Sequence, residues 1–362
     1  LSYLSKIENC ALIPDDMYIE ALCERLDIDA KKLYQMKART NLETLLELYL
    51  FDQTETLQQM YEDIDLCYYN AGDMILEILV LLTNQNFPKV KKKLRDLMSI
   101  TSSLTRNEFA VLMYLKLKSA IEMHVYEEIA DIIQFFTRSH YFCNSFKWLV
   151  YEALFTCGYF TDDRNLIEFY FSELHHIHQI GFPQQHLMKI QWMMLDYQAQ
   201  FSNSPSCSKI EYYQHYDLGT KQKQDYLFFK ASIYAKHHKF HDAYMILHKM
   251  PDRTARELAL LVYVSSFLQD DGVFRSIRKK VAEYSFSKYE LFHQKFIQFW
   301  IQLQQDQPHH VIGEILKYDV LVYNQTHPYP LYSKIYKDQL IQISHRKMYA
   351  GEVNKYILED KK

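Results

Sequence analysis

The sequence predicts an all-α fold, a right-handed superhelix of helical hairpins in which each pair of helices packs on the next. Three observations lead there. The 362 residues include only 7 Gly and 8 Pro, whereas sheets joined by tight turns need many more residues with positive or preset φ. Hydrophobic residues make up 48% of the chain, and 30 Tyr and 22 Phe supply bulk for packing between helices. Apolar stripes at helical spacing recur along the chain, separated by short polar breaks.

From Asn41 onward the stripes group into pairs. The first helix of each pair centres near Leu48, Val80, Tyr114, Tyr151, Ile190, Ala231, Tyr263, Phe296 and Lys337. Breaks fall where turn formers precede a new stripe: Asn84-Gln85-Asn86 before Phe87-Pro88, Thr161-Asp162-Asp163, Asp270-Asp271-Gly272 and Gln305-Asp306-Gln307. The spacing brackets the tetratricopeptide period of about 34 residues. One unit, Asp225–Pro251, carries the tetratricopeptide pattern well. Leu227, Ala231 and Tyr234 line the packed face of its first helix. Phe240 opens the second, Ala243 lets the two backbones approach, Leu247 and Met250 continue the stripe, and Pro251 ends it. Ser265, Leu268, Phe274, Ile277 and Val281 form a looser copy. The expected architecture is therefore a TPR-like array over residues 39–362. The SNSPSCS stretch makes 202–220 a long loop or a hinge, and Leu331–Leu358 is expected to form the last hairpin, whose final helix caps the array or joins a dimer.

The first 38 residues read differently. Leu4 and Ile7 share a helical face, and Pro14 suits the first position of a new helix, where its missing N–H costs nothing. Asp15 and Asp16 then favour the dipole of that helix, and Ile19, Leu22, Cys23 and Leu26 follow at helical spacing. Ser2, Leu4, Ser5, Lys6, Ile7 and Glu8, with Pro14 and then Ile19, Leu22, Leu26 and Ile28, resemble the second half of a Cro-repressor-type (XRE) helix-turn-helix domain. Cys10 departs from the usual glycine. The resemblance implies that Ser2 and Tyr3 lie near base edges and that Lys6 reaches a phosphate. The earlier helices of such a domain are not in the sequence, and the start at Leu1 fits an expectation of a longer natural chain. The alternative is a helical hairpin that caps the array.

Composition narrows the chemistry. The net charge of −4 provides no global field for nucleic acid, so DNA contact would need a local patch. The six cysteines are scattered without a CxxC pair, as expected of reduced thiols in a cytoplasmic protein. The apolar run Met74–Leu82 is too short for a membrane span and contains Glu77, and no signal peptide is recognised. His175, His176 and His178, with His186 nearby, lack a Cys or carboxylate at convincing spacing, so no metal or cofactor is expected. His237, His238 and His241 fall at an inter-helix turn, and the basic run Lys89–Arg95 reads as a solvated helix face because Val90 and Leu94 keep the apolar stripe. No phosphate loop, nucleophile elbow or zinc-protease motif is present, so no catalysis is expected.

What remains is a binding surface. First helices of such arrays line a concave groove, where amides bond a peptide backbone and aromatic rings cover its side chains. The candidate peptide contacts are Tyr114, Lys116, Tyr151, Gln191, Asp196, Tyr226, Lys230, Tyr263, Ser266, Gln269, Gln298 and Gln302. A helix-turn-helix segment followed by a TPR-like array resembles the peptide-sensing regulators of Gram-positive bacteria and their phages: the Rgg, PlcR, NprR, PrgX and arbitrium-receptor groups, with the Rap phosphatases as relatives. That resemblance implies a cytoplasmic homodimeric transcription regulator, with DNA and a short signalling peptide as partners and no membrane partner. Two other classes stay open from the sequence: a Rap-like modulator of a protein partner, and a plain TPR adaptor.

Overall fold

A computed structural model describes residues 16–25, 41–64, 70–126, 129–139, 141–177, 181–201, 204–251, 253–305, 313, 315–326 and 329–344. All regular structure among the described residues is helical. In chain order the α-helices are α1 (Asp16–Arg25), α2 (Leu42–Leu50), α3 (Thr54–Glu62), α4 (Ala71–Thr83), α5 (Phe87–Ser99), α6 (Arg106–Met123), α7 (Ile129–Arg138), α8 (Asn144–Thr161) and α9 (Arg164–Ile177). They continue with α10 (Gln184–Gln198), α11 (Ser206–Glu211), α12 (Thr220–Lys236), α13 (Phe240–His248), α14 (Ala255–Ser265), α15 (Asp271–Glu283), α16 (Leu291–Leu303), α17 (Val322–Thr326) and α18 (Pro330–Ser344). Ile315–Leu321 is a π-helix. Every position read as the centre of a first helix, from Leu48 to Lys337, falls inside an even-numbered helix from α2 to α18. Of the proposed helix-turn-helix segment, α1 is described. Ser2, Tyr3 and Lys6 lie outside the described residues.

Six of the turns after first helices repeat one backbone conformation. Asp52, Gln85, His124, Asp162, His238 and Gln269 take positive φ between 52° and 59° after α2, α4, α6, α8, α12 and α14. In four of these turns the next amide reaches back five residues: Gln53 to the carbonyl of Leu48 at 2.9 Å, Asn86 to Leu81 at 2.9 Å, Asp163 to Gly158 at 2.9 Å and Lys239 to Tyr234 at 2.8 Å. This is the Schellman end of a helix, which uses carbonyls that would otherwise be orphaned. Glycine is the usual residue there. Here Asp, Gln and His accept the left-handed conformation, which is how so many turns coexist with so few glycines. Helix starts are capped where the polar breaks predicted: Asp163 Oδ1 takes the amides of Asn165 and Leu166, and Asp270 Oδ1 takes those of Gly272 and Val273.

By contact the chain divides into two compact units, Leu1–Met123 with Glu128–Ala153, and His124–Glu127 with Leu154–Lys362. The division falls inside α8. In the first unit α2 packs on α3, α4 on α5 and α6 on α7, while α2 and α6 both touch α4. In the second, α12 packs on α13 and α14 on α15, and the first helices α10, α12, α14 and α16 touch in sequence. In these pairs a helix meets its hairpin partner, and neighbouring first helices also meet.

The signature unit behaves largely as read. Ala231, Ala243 and Leu247 are fully buried, and Met250 nearly so. The predicted stripe on α12 was too narrow, however. Tyr226, Phe228, Phe229 and Ile233 are also buried, while Leu227 and Tyr234 are half-buried. A helix with neighbours on several sides buries residues all round, each large apolar side chain contributing roughly 1.5–3 kcal/mol. Gly158 serves a close approach: a Cβ there would come within 2.7 Å of the Leu166 Cβ on α9.

The stretch expected as a loop or hinge at 202–220 contains α11 and a 3-10 turn, Tyr212–His215. Ser206 and Ile210 are buried, and Glu211 binds Lys230 at 2.8 Å and the Tyr234 hydroxyl. One apolar anchor, a buried serine and a paired carboxylate outweigh the loop propensity of the preceding serines. The basic helix face follows the sequence reading, with Val90, Leu94 and Leu97 buried and Lys89, Lys91 and Lys92 exposed. Lys93 departs from it by pairing with Glu77 at 2.8 Å. No helix among the described residues is long and apolar enough to cross a membrane.

Candidate functional site

The second unit carries a buried polar cluster built from its first helices. Asp196, near the end of α10, is fully buried. Its Oδ2 accepts the Tyr159 hydroxyl of α8 at 2.5 Å and the Lys236 ammonium of α12 at 2.6 Å. Lys236 also donates to the Asp196 main-chain carbonyl at 2.8 Å, and its side chain is 3% exposed. Three helix ends are thus held by one carboxylate. Burial pulls the Lys236 pKa down and Asp196 offsets this only in part. Burial and then the Asp196 charge push the Tyr159 phenol well up. Asp196 Oδ1 is buried with no hydrogen-bond partner among the described residues.

A second knot joins α12 to α14. Arg256 Nη2 donates to Asp225 Oδ1 and to Glu257 Oε1, both at 2.8 Å, and the guanidinium lies 4.2 Å above the Phe228 ring. The other Glu257 oxygen takes the Thr254 amide at 2.8 Å and the Thr254 hydroxyl, closing a capping box on α14. Burial opposes the charge on Arg256, but Glu257 and Asp225 outweigh it and keep its pKa above the ordinary value. Burial likewise opposes the charged form of Asp225, yet Lys189 and Arg256 hold its pKa below the usual carboxylate range.

The third part is aromatic. His293 on α16 is buried, with Nδ1 2.6 Å from the Tyr332 hydroxyl of α18. The Phe292 ring sits 4.5 Å from that of His124, and Phe296 stacks on Tyr332 at 3.8 Å. Tyr329 is 4% exposed among these rings. Burial, then the nearby His124 and Arg256, hold the His293 pKa well below its ordinary value of 6.5. The unfolded chain therefore takes up this proton near pH 6.5 and the folded chain only well below it. Stability from this group should be complete above pH 6.5 and fall as pH drops, by up to about 1.4 kcal/mol per pH unit. Urea unfolding at pH 7.5, 6.0 and 5.0 of the wild type and His293→Gln checks this. The acid-side loss should be smaller in the variant, and equal slopes would refute it.

The structure disperses the candidate peptide contacts. Tyr114, Tyr151, Asp196 and Tyr226 are core residues, not open ones, which corrects their reading as surface contacts. Tyr114 meets Phe146 edge-on at 6.2 Å, and Tyr151 meets Tyr141 at 5.6 Å. Tyr226 donates to the Ile210 carbonyl at 3.3 Å. Gln191 is half-buried and accepts the Tyr213 hydroxyl at 2.6 Å, and Lys230 is paired with Glu211. Tyr263 is half-buried against Trp300 at 5.0 Å, and Ser266 caps the end of α14 through the Tyr263 carbonyl. Gln269 is not on a first helix. It is the left-handed turn residue after α14. Lys116 and Gln302 are half-buried, and Gln298 is exposed.

Of that set only Asp196 belongs to the buried polar cluster, whose other members escaped sequence reasoning. Asp196 and Lys236 lie 40 residues apart, and nothing local marks them as partners. A separate surface cleft of about 470 Å³ lies between α6 and α7 in the first unit, lined by Arg106, Asn107, Gln134 and Arg138 over the Phe109–Phe135 ring pair. Its residues sit at opposite ends of two helices, with no motif linking them. His175 and His176 are exposed, His178 lies outside the described residues, and no group of three or more His, Cys, Asp and Glu among the described residues is placed to hold a metal. Burial pushes the Cys157 thiol up to about 12, leaving it a poor nucleophile. The groups brought together are paired charges and packed aromatic rings.

The fold and cluster define an all-helical protein of consecutive hairpins with a polar, ring-lined seam along its second unit. No protein-family model, no curated protein and no solved structure matches the chain.

Proposed function

We propose that the chain is the ligand-sensing part of a peptide-responsive transcription regulator, with a TPR-like superhelix that binds a short signalling peptide along its first helices. The observation that carries this reading is the repeated hairpin turn. A left-handed residue follows six of the first helices, at 52, 85, 124, 162, 238 and 269, so that neighbours lie 31 to 39 residues apart except across α10, near the tetratricopeptide period, and the five-residue back-bond accompanies it in four of the six turns. First helices that touch in sequence from α10 to α16 support a continuous peptide-facing side. A helix-turn-helix start would couple that side to DNA. Physically, the peptide must bind one curvature of the array better than another, since only differential affinity shifts the output.

The test is a mobility shift with the full-length protein and the DNA upstream of its own gene, with and without synthetic peptides encoded by neighbouring small reading frames. The regulator reading expects a shifted band whose intensity one of those peptides changes. Failure to bind DNA under either condition defeats it and favours an adaptor or a modulator of a protein partner.

A further inference from the structure

Tyr329 sits in a box of five rings. Ring centroids lie 4.8 Å away for Tyr332, 5.4 Å for Phe160, 5.7 Å for His293, 6.1 Å for His124 and 6.2 Å for Phe292. These walls come from α8, α16, α18 and the turn residue His124, segments far apart in sequence that converge on one side chain. The charges of Arg256, Asp196, Glu257 and Asp225 also act on the Tyr329 phenol.

Tyr329 itself is not part of a helical stripe. It precedes α18, and its carbonyl accepts the Ser333 amide at 2.9 Å, so it enters the box as a single side chain from a helix cap. Two walls, His124 and Phe160, are only half-buried, which leaves a side of the box near solvent. Rings in edge-to-face and tilted contact, with charges acting on the phenol, suit a residue with an apolar body and a polar tip.

We propose that this box is the anchor subsite for a tyrosyl side chain of a peptide ligand, and that Tyr329 fills it as an internal stand-in which the ligand must displace. The proposal rests on the peptide-binding reading above and specifies what that side selects. A tethered competitor lowers the apparent affinity by the fraction of time the box is free, so removing Tyr329 raises affinity for the right side chain without adding a contact.

The experiment uses the full chain and two probes, Ac-Gly-Tyr-Gly-NH2 and Ac-Gly-Leu-Gly-NH2, titrated calorimetrically into wild type, Tyr329→Ala and Tyr329→Phe. The tyrosyl probe should bind Tyr329→Ala at least ten-fold more tightly than wild type. The leucyl probe should gain nothing, and Tyr329→Phe, which keeps the ring in place, should bind no better than wild type. Equal affinity of Tyr329→Ala and wild type, or an equal gain for the leucyl probe, would show Tyr329 to be ordinary core and overturn the proposal.

Should Tyr329→Ala fail to fold, 3-fluorotyrosine placed at position 329 of the otherwise wild-type chain gives a second readout. Its fluorine resonance should move on addition of millimolar tyrosyl probe and stay fixed with the leucyl probe. An unmoved resonance with both probes overturns the idea. The outcomes separate the two claims. A peptide that alters the DNA band while the resonance at position 329 stays put defeats the anchor and leaves the regulator. Tyrosyl binding to the box by a protein that never shifts DNA does the reverse.

Discussion

Lys236→Met should destabilise the second unit by about 3–5 kcal/mol, because it strands the buried Asp196 carboxylate with a single phenol as partner. Lys236 is the only cation bonded to that carboxylate among the described residues, and both side chains are almost wholly removed from water, at 3% and 1% exposure. Removing one member leaves an uncompensated charge in a poorly polarisable surrounding. Removing both charges, in Asp196→Asn with Lys236→Met, should restore part of the loss, since a neutral amide is far cheaper to bury. Urea unfolding followed by tryptophan fluorescence measures this, because Trp192 on α10 and Trp300 on α16 both report from this unit. Equal midpoints for the single and double variants would show that the pair contributes little.

Phe296→Ala is expected to cost a similar amount, about 3–5 kcal/mol, by a different mechanism. Phe296 is fully buried on α16, stacked on Tyr332 and tilted against Tyr336 at 5.6 Å. Truncation removes the transfer energy of a ring and leaves a cavity that α16 and α18 cannot both close. Because these rings join α18 to α16, its release should precede global unfolding, read as early protease cleavage within 330–344. Phe296→Leu keeps most of the volume and should lose much less. A Phe296→Ala variant within 1 kcal/mol of wild type on the order expected for surface sites would contradict this packing.

Much of the fold was legible in the sequence. The scarcity of Gly and Pro, the helical spacing of apolar residues and the polar breaks placed the first helices of the hairpins correctly from α2 to α18. These signals are local. A break such as Asp270-Asp271-Gly272 caps the helix it starts wherever that helix goes. The short helix α11 was missed because its stability comes from Ile210 and Glu211 meeting α12, which propensity alone does not register.

The candidate site was much less legible. Amphipathic periodicity tells which residues avoid water when a helix has one neighbour. First helices here have several, so Tyr114, Tyr151 and Tyr226 went inside although the pattern left them available as surface.

What the sequence by itself determined was where helices begin, end and reverse, because caps, turns and stripes depend on residues a few positions apart. What only the tertiary structure decided was which charges and rings meet: Asp196 with Lys236, Asp225 with Arg256, His293 with Tyr332, and Tyr329 with rings from four segments. Those pairings join residues tens of positions apart on separate helices. Their energy depends on burial and distance, quantities that exist only after the hairpins have stacked.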